Sequence, residues 1–324
     1  MPSPATKAPP QGTQDLLFEA ARRLRRCEAA LATLFESAGF AEVIPPSIES
    51  ADVFGPEAFR ALDRSGHLLA LRADFTAQVA RIAATRLAGV SPLRLYYRGS
   101  VVREGAAESS GVPRERLQAG CELVGAEGPE ADAEILSLAT RSLHALGLTD
   151  TRVSVGAVGY FAALISAAGA GERLTRALSD AIDRKDLPTL RALCEKEVPP
   201  GRPRDALLLL ARPPRAQQDA QSLLQRAAQL SPSDDATLAL ERLSATLAAA
   251  RAKSLGAELE VDLGEVRGLG YYTGLVFNLY AAGAPRPVGG GGRYDTLLGR
   301  FGDPRPAVGF SLELDALVPL AAAC

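Results

Sequence analysis

Between Asp15 and Ala38 the apolar residues Leu17, Ala21, Leu24, Leu31, Leu34 and Phe35 recur at helical spacing with arginines between them, and Gly39 follows. This pattern predicts an amphipathic helix that buries one stripe and stops at the glycine. AEVI comes next, a short β-prone run that meets Pro45-Pro46, whose missing N–H groups end a strand or confine it to a sheet edge. Three further strands are predicted at Leu68 to Arg72, Leu93 to Arg103 and Arg116 to Gly125, the first two enclosing a helix that ends near Gly89. Glu130 to Leu146 reads as a helix entered after Pro129 and closed by Gly147, and RVSVGAV after it reads as a strand.

From about Phe161 to Leu255 the pattern changes to Ala, Leu and Arg at helical spacing, broken by prolines and almost without aromatic residues. The β signal then returns in AELEVDLG, GLVFNLYA and PAVGFSLE, with the glycine-rich GGGGRYD among them. Strands that do not alternate regularly with helices indicate an α+β plan. Residues 1–160 and 256–324 are expected to form one domain, interrupted by a helical insertion domain over 161–255. No short-period repeat is present.

Composition narrows the function classes. With 324 residues, 47% of them hydrophobic, the chain can bury one large core or two ordinary ones. A net charge of -2 and a pI of 5.9 give no general reason to hold a polyphosphate, and count against a nucleic-acid partner. Cys27, Cys121, Cys194 and Cys324 form no CxxC pair, and only His67 and His144 stand beside them, so no metal site is expected. The proline-rich N-terminus lacks an apolar core, and no run of about 18 apolar residues occurs, which implies a cytoplasmic protein away from the membrane.

In RLQAGCELVG a two-residue period sets Arg116, Gln118, Gly120 and Glu122 on one face and Leu117, Ala119, Cys121 and Leu123 on the other. A polar face of this kind is ordinarily a solvent-facing strand surface. Gly120 points elsewhere, because a glycine inside a strand marks close approach by a ligand or another backbone, and Gln118 and Glu122 beside it offer acceptors to a small cation. The segment Glu265 to Phe277, EVRGLGYYTGLVF, gathers glycines, an arginine and paired tyrosines. Such glycines make a hairpin; the segment also suits a site, with Arg267 offering a planar fork to a carboxylate and Tyr271 or Tyr272 a polar tip to an apolar pocket. GGGGRYD has the look of a phosphate-cradling loop without the Walker lysine, so its expected role is to let the backbone pack tightly beneath a site.

Taken in order, these segments resemble the catalytic core of histidyl-tRNA synthetases, a class II aminoacyl-tRNA synthetase fold, over almost the entire chain. GTQD at Gly12 to Asp15, the helix ending in AGF, and IPPSIES resemble that family's first segments, and LRADFTAQVAR at Leu71 to Arg81 its amino-acid-binding turn. LRLYYRGSVVR with LQAGCELVG resembles motif 2, VRGLGYYTGLVF and GGRYDTLL the two histidine-specific signatures, and PAVGFSLELDAL motif 3. The resemblance implies an antiparallel sheet flanked by helices, and free L-histidine as ligand. By that carry-over Asp74, Thr76, Gln118 and Glu122 line the site of the ammonium and imidazole groups, and Arg267 faces the carboxylate. Tyr272 and Tyr294 shape the imidazole pocket, and Arg103 and Tyr271 belong to the same histidine-binding set.

Departures from the family pattern decide the expected function. Motif 2 carries an arginine followed two positions later by a glutamate that together hold ATP; here Arg103 remains, but Gly105 stands at the second position and Glu104 comes one residue early. At motif 3 a glycine and an ATP-binding arginine are replaced by Glu313 and Ala316, and the RGLDYY form is RGLGYY, with Gly270 for the aspartate. Losing an arginine and gaining a carboxylate both disfavour a triphosphate. The chain ends at Cys324, just after motif 3, where the synthetases continue into an anticodon-binding domain. A histidine-binding core poorly equipped for ATP and tRNA is similar to the regulatory subunits of ATP phosphoribosyltransferase. These work with a short catalytic chain in a hetero-octamer and are needed for activity and for inhibition by histidine. The resemblance therefore implies no catalytic residues, no cofactor, a homodimer within that assembly, and no tRNA. Two readings remain beside it: an enzyme that activates histidine for a non-tRNA acceptor, and a scaffold with an empty pocket.

Overall fold

The computed structural model describes residues 9–104, 113–216, 220–253, 255, 257–266 and 271–322. In chain order α1 (Phe18–Ser37) leads to β1 (Ala41–Glu42), β2 (Ile48–Ser50), β3 (Arg60–Leu62), β4 (Leu68–Leu71), α2 (Phe75–Thr85), β5 (Leu93–Val102), β6 (Glu115–Val124), α3 (Gly128–Ala145) and β7 (Thr151–Ala157). There follow α4 (Val158–Ala167), α5 (Glu172–Asp183), α6 (Leu187–Glu197), α7 (Arg202–Leu210), β8 (Arg215–Ala216), α8 (Ala220–Gln229) and α9 (Asp234–Ala252). The chain closes with β9 (Glu258–Val261), β10 (Leu275–Ala281), β11 (Gly289–Arg293), β12 (Ala307–Glu313) and α10 (Leu314–Leu317).

The apolar stripe of α1 goes inward as its spacing predicts: Leu24, Cys27, Leu31 and Phe35 are buried, and Gly39 takes a positive φ of 82° just beyond the end. α2 starts on Asp74, whose Oδ1 accepts the Ala77 N–H at 3.1 Å and caps the helix. Among the described residues nine strands form the main sheet in the order β1-β5-β6-β12-β11-β10-β7-β9-β8, and β2-β4-β3 form a small one. The main sheet is antiparallel except at the β1/β5 and β7/β9 pairs, so it is a mixed sheet in an α+β fold. Neither β2 nor β3 is visible in the sequence pattern, since three residues are too few to show a period.

One face of the sheet makes the principal core. Ala119, Cys121 and Leu123 of β6 pack there with Leu31 and Phe35 of α1 and with Ile135, Leu136 and Leu143 of α3. Leu178, Ile182, Leu190, Leu207, Leu210 and Leu243 of the following helices join the same cluster. The helical run departs from β7 and returns at β9, which lie side by side and parallel. β8 within it also pairs with β9, although the sequence there shows only helical spacing.

GGGGRYD follows the β signal of its neighbours and not the likeness to a phosphate-cradling loop. Gly289 to Arg293 are an interior strand, hydrogen-bonded to β10 on one side and β12 on the other. Runs of glycine lack the side chains that make strand propensity, so pattern reading passes over them. Here they are required by crowding: a Cβ on Gly291 would lie 2.1 Å from the Gly309 carbonyl oxygen.

Candidate ligand-binding site

Across β5, β6, β12 and β11 the second face of the sheet floors a cavity of about 750 Å³. Asp74, Thr76, Arg103, Gln118, Glu122, Tyr271, Tyr272 and Tyr294 all line it. Arg267 lies outside the described residues, as do Gly105 and Gly270. The two-residue period of β6 is what delivers its share: Arg116, Gln118 and Glu122 face the cavity while Ala119, Cys121 and Leu123 face the core. That polar face is buried, with Gln118 at 4% and Glu122 at 0% exposure, and is no solvent-facing surface.

Glu122 ends the cavity in a ring of hydroxyls. Its Oε1 accepts from Thr76 Oγ1 at 2.6 Å and from the Tyr97 hydroxyl at 3.4 Å, and its Oε2 accepts from the Tyr294 hydroxyl. Burial raises the Glu122 carboxyl from its usual range to about 8; the bonds from Thr76 and Tyr294 oppose that rise and the nearby Asp74 charge adds to it. The Tyr294 phenol is pushed well up, first by burial and then by the Glu122 charge, so it remains a proton donor to the carboxylate. Register explains the space around this group. Gly309 of β12 stands directly opposite Glu122, and a Cβ there would fall 1.6 Å from Glu122 Oε2.

Of the two occupants that its strand position suggested, a ligand or another backbone, the gap at Gly120 is taken by a backbone, joined by an aromatic side chain. Tyr97 stands opposite it on β5, and a Cβ on Gly120 would lie 2.5 Å from the Tyr97 hydroxyl and 2.3 Å from the Phe310 carbonyl oxygen. Gly120 therefore admits Tyr97, and Tyr97 in turn reaches Glu122. Sequence reasoning missed Tyr97. Its signal was the alternation in LRLYYRGS, which sends Tyr96 to Glu36 on the α1 side and Tyr97 to the Glu122 side, where it stacks on Phe75 with centroids 4.3 Å apart. Tyr271 completes an aromatic wall, its ring centroid 4.9 Å from that of Tyr272 and 5.4 Å from that of Tyr294. Burial holds the Tyr271 and Tyr272 phenols above the ordinary range as well.

Toward the other end the lining becomes charged. Arg103 donates from Nε to the Ala73 carbonyl at 2.8 Å, and its guanidinium lies 4.0 Å from Asp74 Oδ2. Gln118 Nε2 donates to Glu313 Oε1 at 2.8 Å, and Arg116 Nη1 reaches the same oxygen at 3.5 Å. Asp315 Oδ2 accepts the Leu117 N–H at 2.5 Å, and Ala316 lines the wall beside it. Glu265 accepts from Asn278 Nδ2 at 2.6 Å on a further wall. A small molecule carrying N–H or ammonium groups finds carboxylate and hydroxyl oxygens at the Glu122 end, with aromatic surface alongside. At the other end Glu313 and Asp315 line the cavity together with Arg103, Arg116 and Arg286.

The arrangement of sheet, helices and cavity is that of a class II aminoacyl-tRNA synthetase catalytic core. The family model described as histidyl-tRNA synthetase matches residues 12–317. Among curated relatives, an ATP phosphoribosyltransferase regulatory subunit of Geobacter metallireducens is 37% identical over 327 residues, covering 98% of this chain and 74% of that protein. One of Anaeromyxobacter dehalogenans is 40% identical over 317 residues, covering 94% and 89%. A crystal structure from Bacillus halodurans, described as an ATP phosphoribosyltransferase regulatory subunit/histidyl-tRNA synthetase, superposes with a TM-score of 0.88 at 27% identity, covering 99% and 85%. A histidine–tRNA ligase subunit from Alicyclobacillus acidocaldarius gives 0.78 at 29% identity, covering 97% of each chain. The chain belongs to the family of ATP phosphoribosyltransferase regulatory subunits, paralogues of the histidyl-tRNA synthetase core.

Proposed function

We propose that this chain is a non-catalytic regulatory subunit of an ATP phosphoribosyltransferase that binds L-histidine in the cavity. It is required for the activity of a short catalytic chain and for inhibition of that chain by histidine. The observation that carries the reading is the buried Glu122, ringed by Thr76, Tyr97 and Tyr294, in the same cavity as Asp74 and Gln118. Histidine is a zwitterion with a basic ring. Burying its cationic groups without acceptors costs several kcal/mol, and these residues supply acceptors. Arg267 is proposed as the partner of its carboxylate.

Loss of aminoacylation is part of the same reading. Glu313 bonds Gln118 and Arg116 at the position where the resemblance expects a glycine, and Ala316 replaces the expected arginine, so a triphosphate meets a carboxylate without its usual counter-charge. No tRNA partner is proposed, in keeping with the net charge of -2. A homodimer within a hetero-octamer is proposed, and the small sheet supports an interface, since Ile48 and Leu71 pair on it at 57% and 40% exposure. Residues 161–255 are taken as an insertion in the core domain, and the cytoplasm as the compartment. Among the described residues no helix is long and apolar enough to cross a membrane.

The test is reconstitution. The purified chain is mixed with a short ATP phosphoribosyltransferase catalytic chain, and phosphoribosyl transfer is followed with and without histidine. Activity only in the mixture, falling with added histidine, is the expected result; a mixture no more active than the catalytic chain alone overturns the proposal. Arg103 in the cavity favours one other reading, a histidine-activating enzyme with a non-tRNA acceptor. Histidine-dependent exchange of pyrophosphate into ATP by the pure chain would establish that instead.

A further inference from the structure

Gln118 and Glu313 face each other directly across β6 and β12, so both side chains rise from the same face of the sheet. Gln118 Nε2 lies 2.8 Å from Glu313 Oε1. A carboxylate only accepts hydrogen bonds, and a primary amide has one donating and one accepting end, so the end of Gln118 that meets Glu313 is its NH2. Turning the amide over would bring its carbonyl oxygen against a carboxylate oxygen, two negative atoms with no proton between them. Arg116 lies 3.5 Å from the same Oε1, and Glu313 Oε2 is buried without a partner among the described residues. The remaining end of the amide, Oε1, accepts from nothing among the described residues, although Gln118 is buried to 4% exposure and lines the cavity. A carbonyl oxygen of a cavity-lining amide is placed to accept from a bound ligand.

We propose that Glu313 is a positioning residue for ligand recognition: it fixes the Gln118 amide so that the carbonyl oxygen faces the cavity and accepts from the α-ammonium of bound histidine. The inference rests on the histidine reading above and gives a role to a side chain that the resemblance marks only as a departure. The residue that bars a triphosphate from the charged end of the cavity also sets the polarity of its neighbour, so one carboxylate tells an amino acid from a nucleotide.

Calorimetry on the full-length chain tests this with two ligands, L-histidine and its des-amino analogue 3-(imidazol-4-yl)propanoate. Glu313→Ala frees the amide to turn and is expected to weaken histidine by about 10-fold, the worth of one charge-assisted hydrogen bond, while the analogue changes by less than about 2-fold. Glu313→Gln, whose carbonyl still accepts from Gln118, is expected to recover most of the affinity for histidine. Thermal melting of both variants establishes that they fold. Equal weakening of both ligands, or unchanged histidine affinity in Glu313→Ala, overturns the positioning role while leaving the histidine reading intact. Absence of histidine binding by the unaltered protein overturns the functional reading itself, and this inference with it.

Discussion

The cavity has two ends built on opposite principles. At the Glu122 end a single carboxyl is buried among hydroxyls and aromatic rings, on a floor where Gly309 leaves no space for a side chain against Glu122. At the Glu313 end the side chains are charged and paired with one another, through Arg116, Gln118 and Glu313. Desolvation dominates the first end, so each contact there is worth much and each loss costs much. Hydrogen bonds between neighbouring polar groups dominate the second, so a loss there acts through the neighbour that it orients. The difference separates an end where burial makes single contacts decisive from one where polar neighbours hold each other in place.

The sharpest way to break the contrast is to fill the floor. Gly309→Ala sets a methyl group 1.6 Å from Glu122 Oε2, and overpacking of this kind is expected to destabilise the protein by about 3 kcal/mol and abolish histidine binding. Urea unfolding and calorimetry measure the two effects; a stable variant that binds normally would show that the floor is not rigid. Next in size is Glu122→Ala, which leaves the ligand's cationic groups unmatched and is expected to weaken histidine by about 1 to 3 kcal/mol. Unchanged affinity in calorimetry would remove Glu122 from the site.

A third test uses acidity. The folded Glu122 carboxyl titrates near 8, above its ordinary 4.5. Between those values the folded chain retains a proton that the unfolded chain has released, so this group's contribution to stability falls as pH rises across the window and levels off above it. Denaturant melts from pH 5 to 8.5 should therefore show a steeper decline in the wild type than in Glu122→Gln. Parallel slopes would mean that the carboxyl is already ionised throughout. The smallest expected effect lies at the opposite end: Ala316→Arg alone should not restore pyrophosphate exchange, because Glu313 remains, and robust exchange by that variant would show Glu313 to be no obstacle.

How much of this was legible in the sequence follows from the same contrast. The alternation in RLQAGCELVG separated the cavity face from the core face correctly, because a strand between a core and a pocket must show its period. α1 and α3 were legible for the same reason. The glycine strand was legible only from its β neighbours, since four glycines carry no amphipathic signal of their own. Tyr97 was hidden by its place on the apolar face of β5, among Leu93, Leu95 and Val101, where an aromatic residue reads as core. The pairing of Glu313 with Gln118 depends on the register of strands 195 residues apart in sequence, which no local pattern contains.

β11 has a last consequence, for the lifetime of the protein. Each glycine in a strand loses extra backbone entropy on folding, about 0.5 to 1 kcal/mol, and in β11 crowding excludes any side chain that could offset that loss. A ligand present at about a hundred times its dissociation constant restores about 2.7 kcal/mol by mass action. If the cavity holds histidine, abundance of the amino acid and survival of the subunit rise together. In a starved cell the empty subunit would unfold more often and be the first copy cleared by proteases.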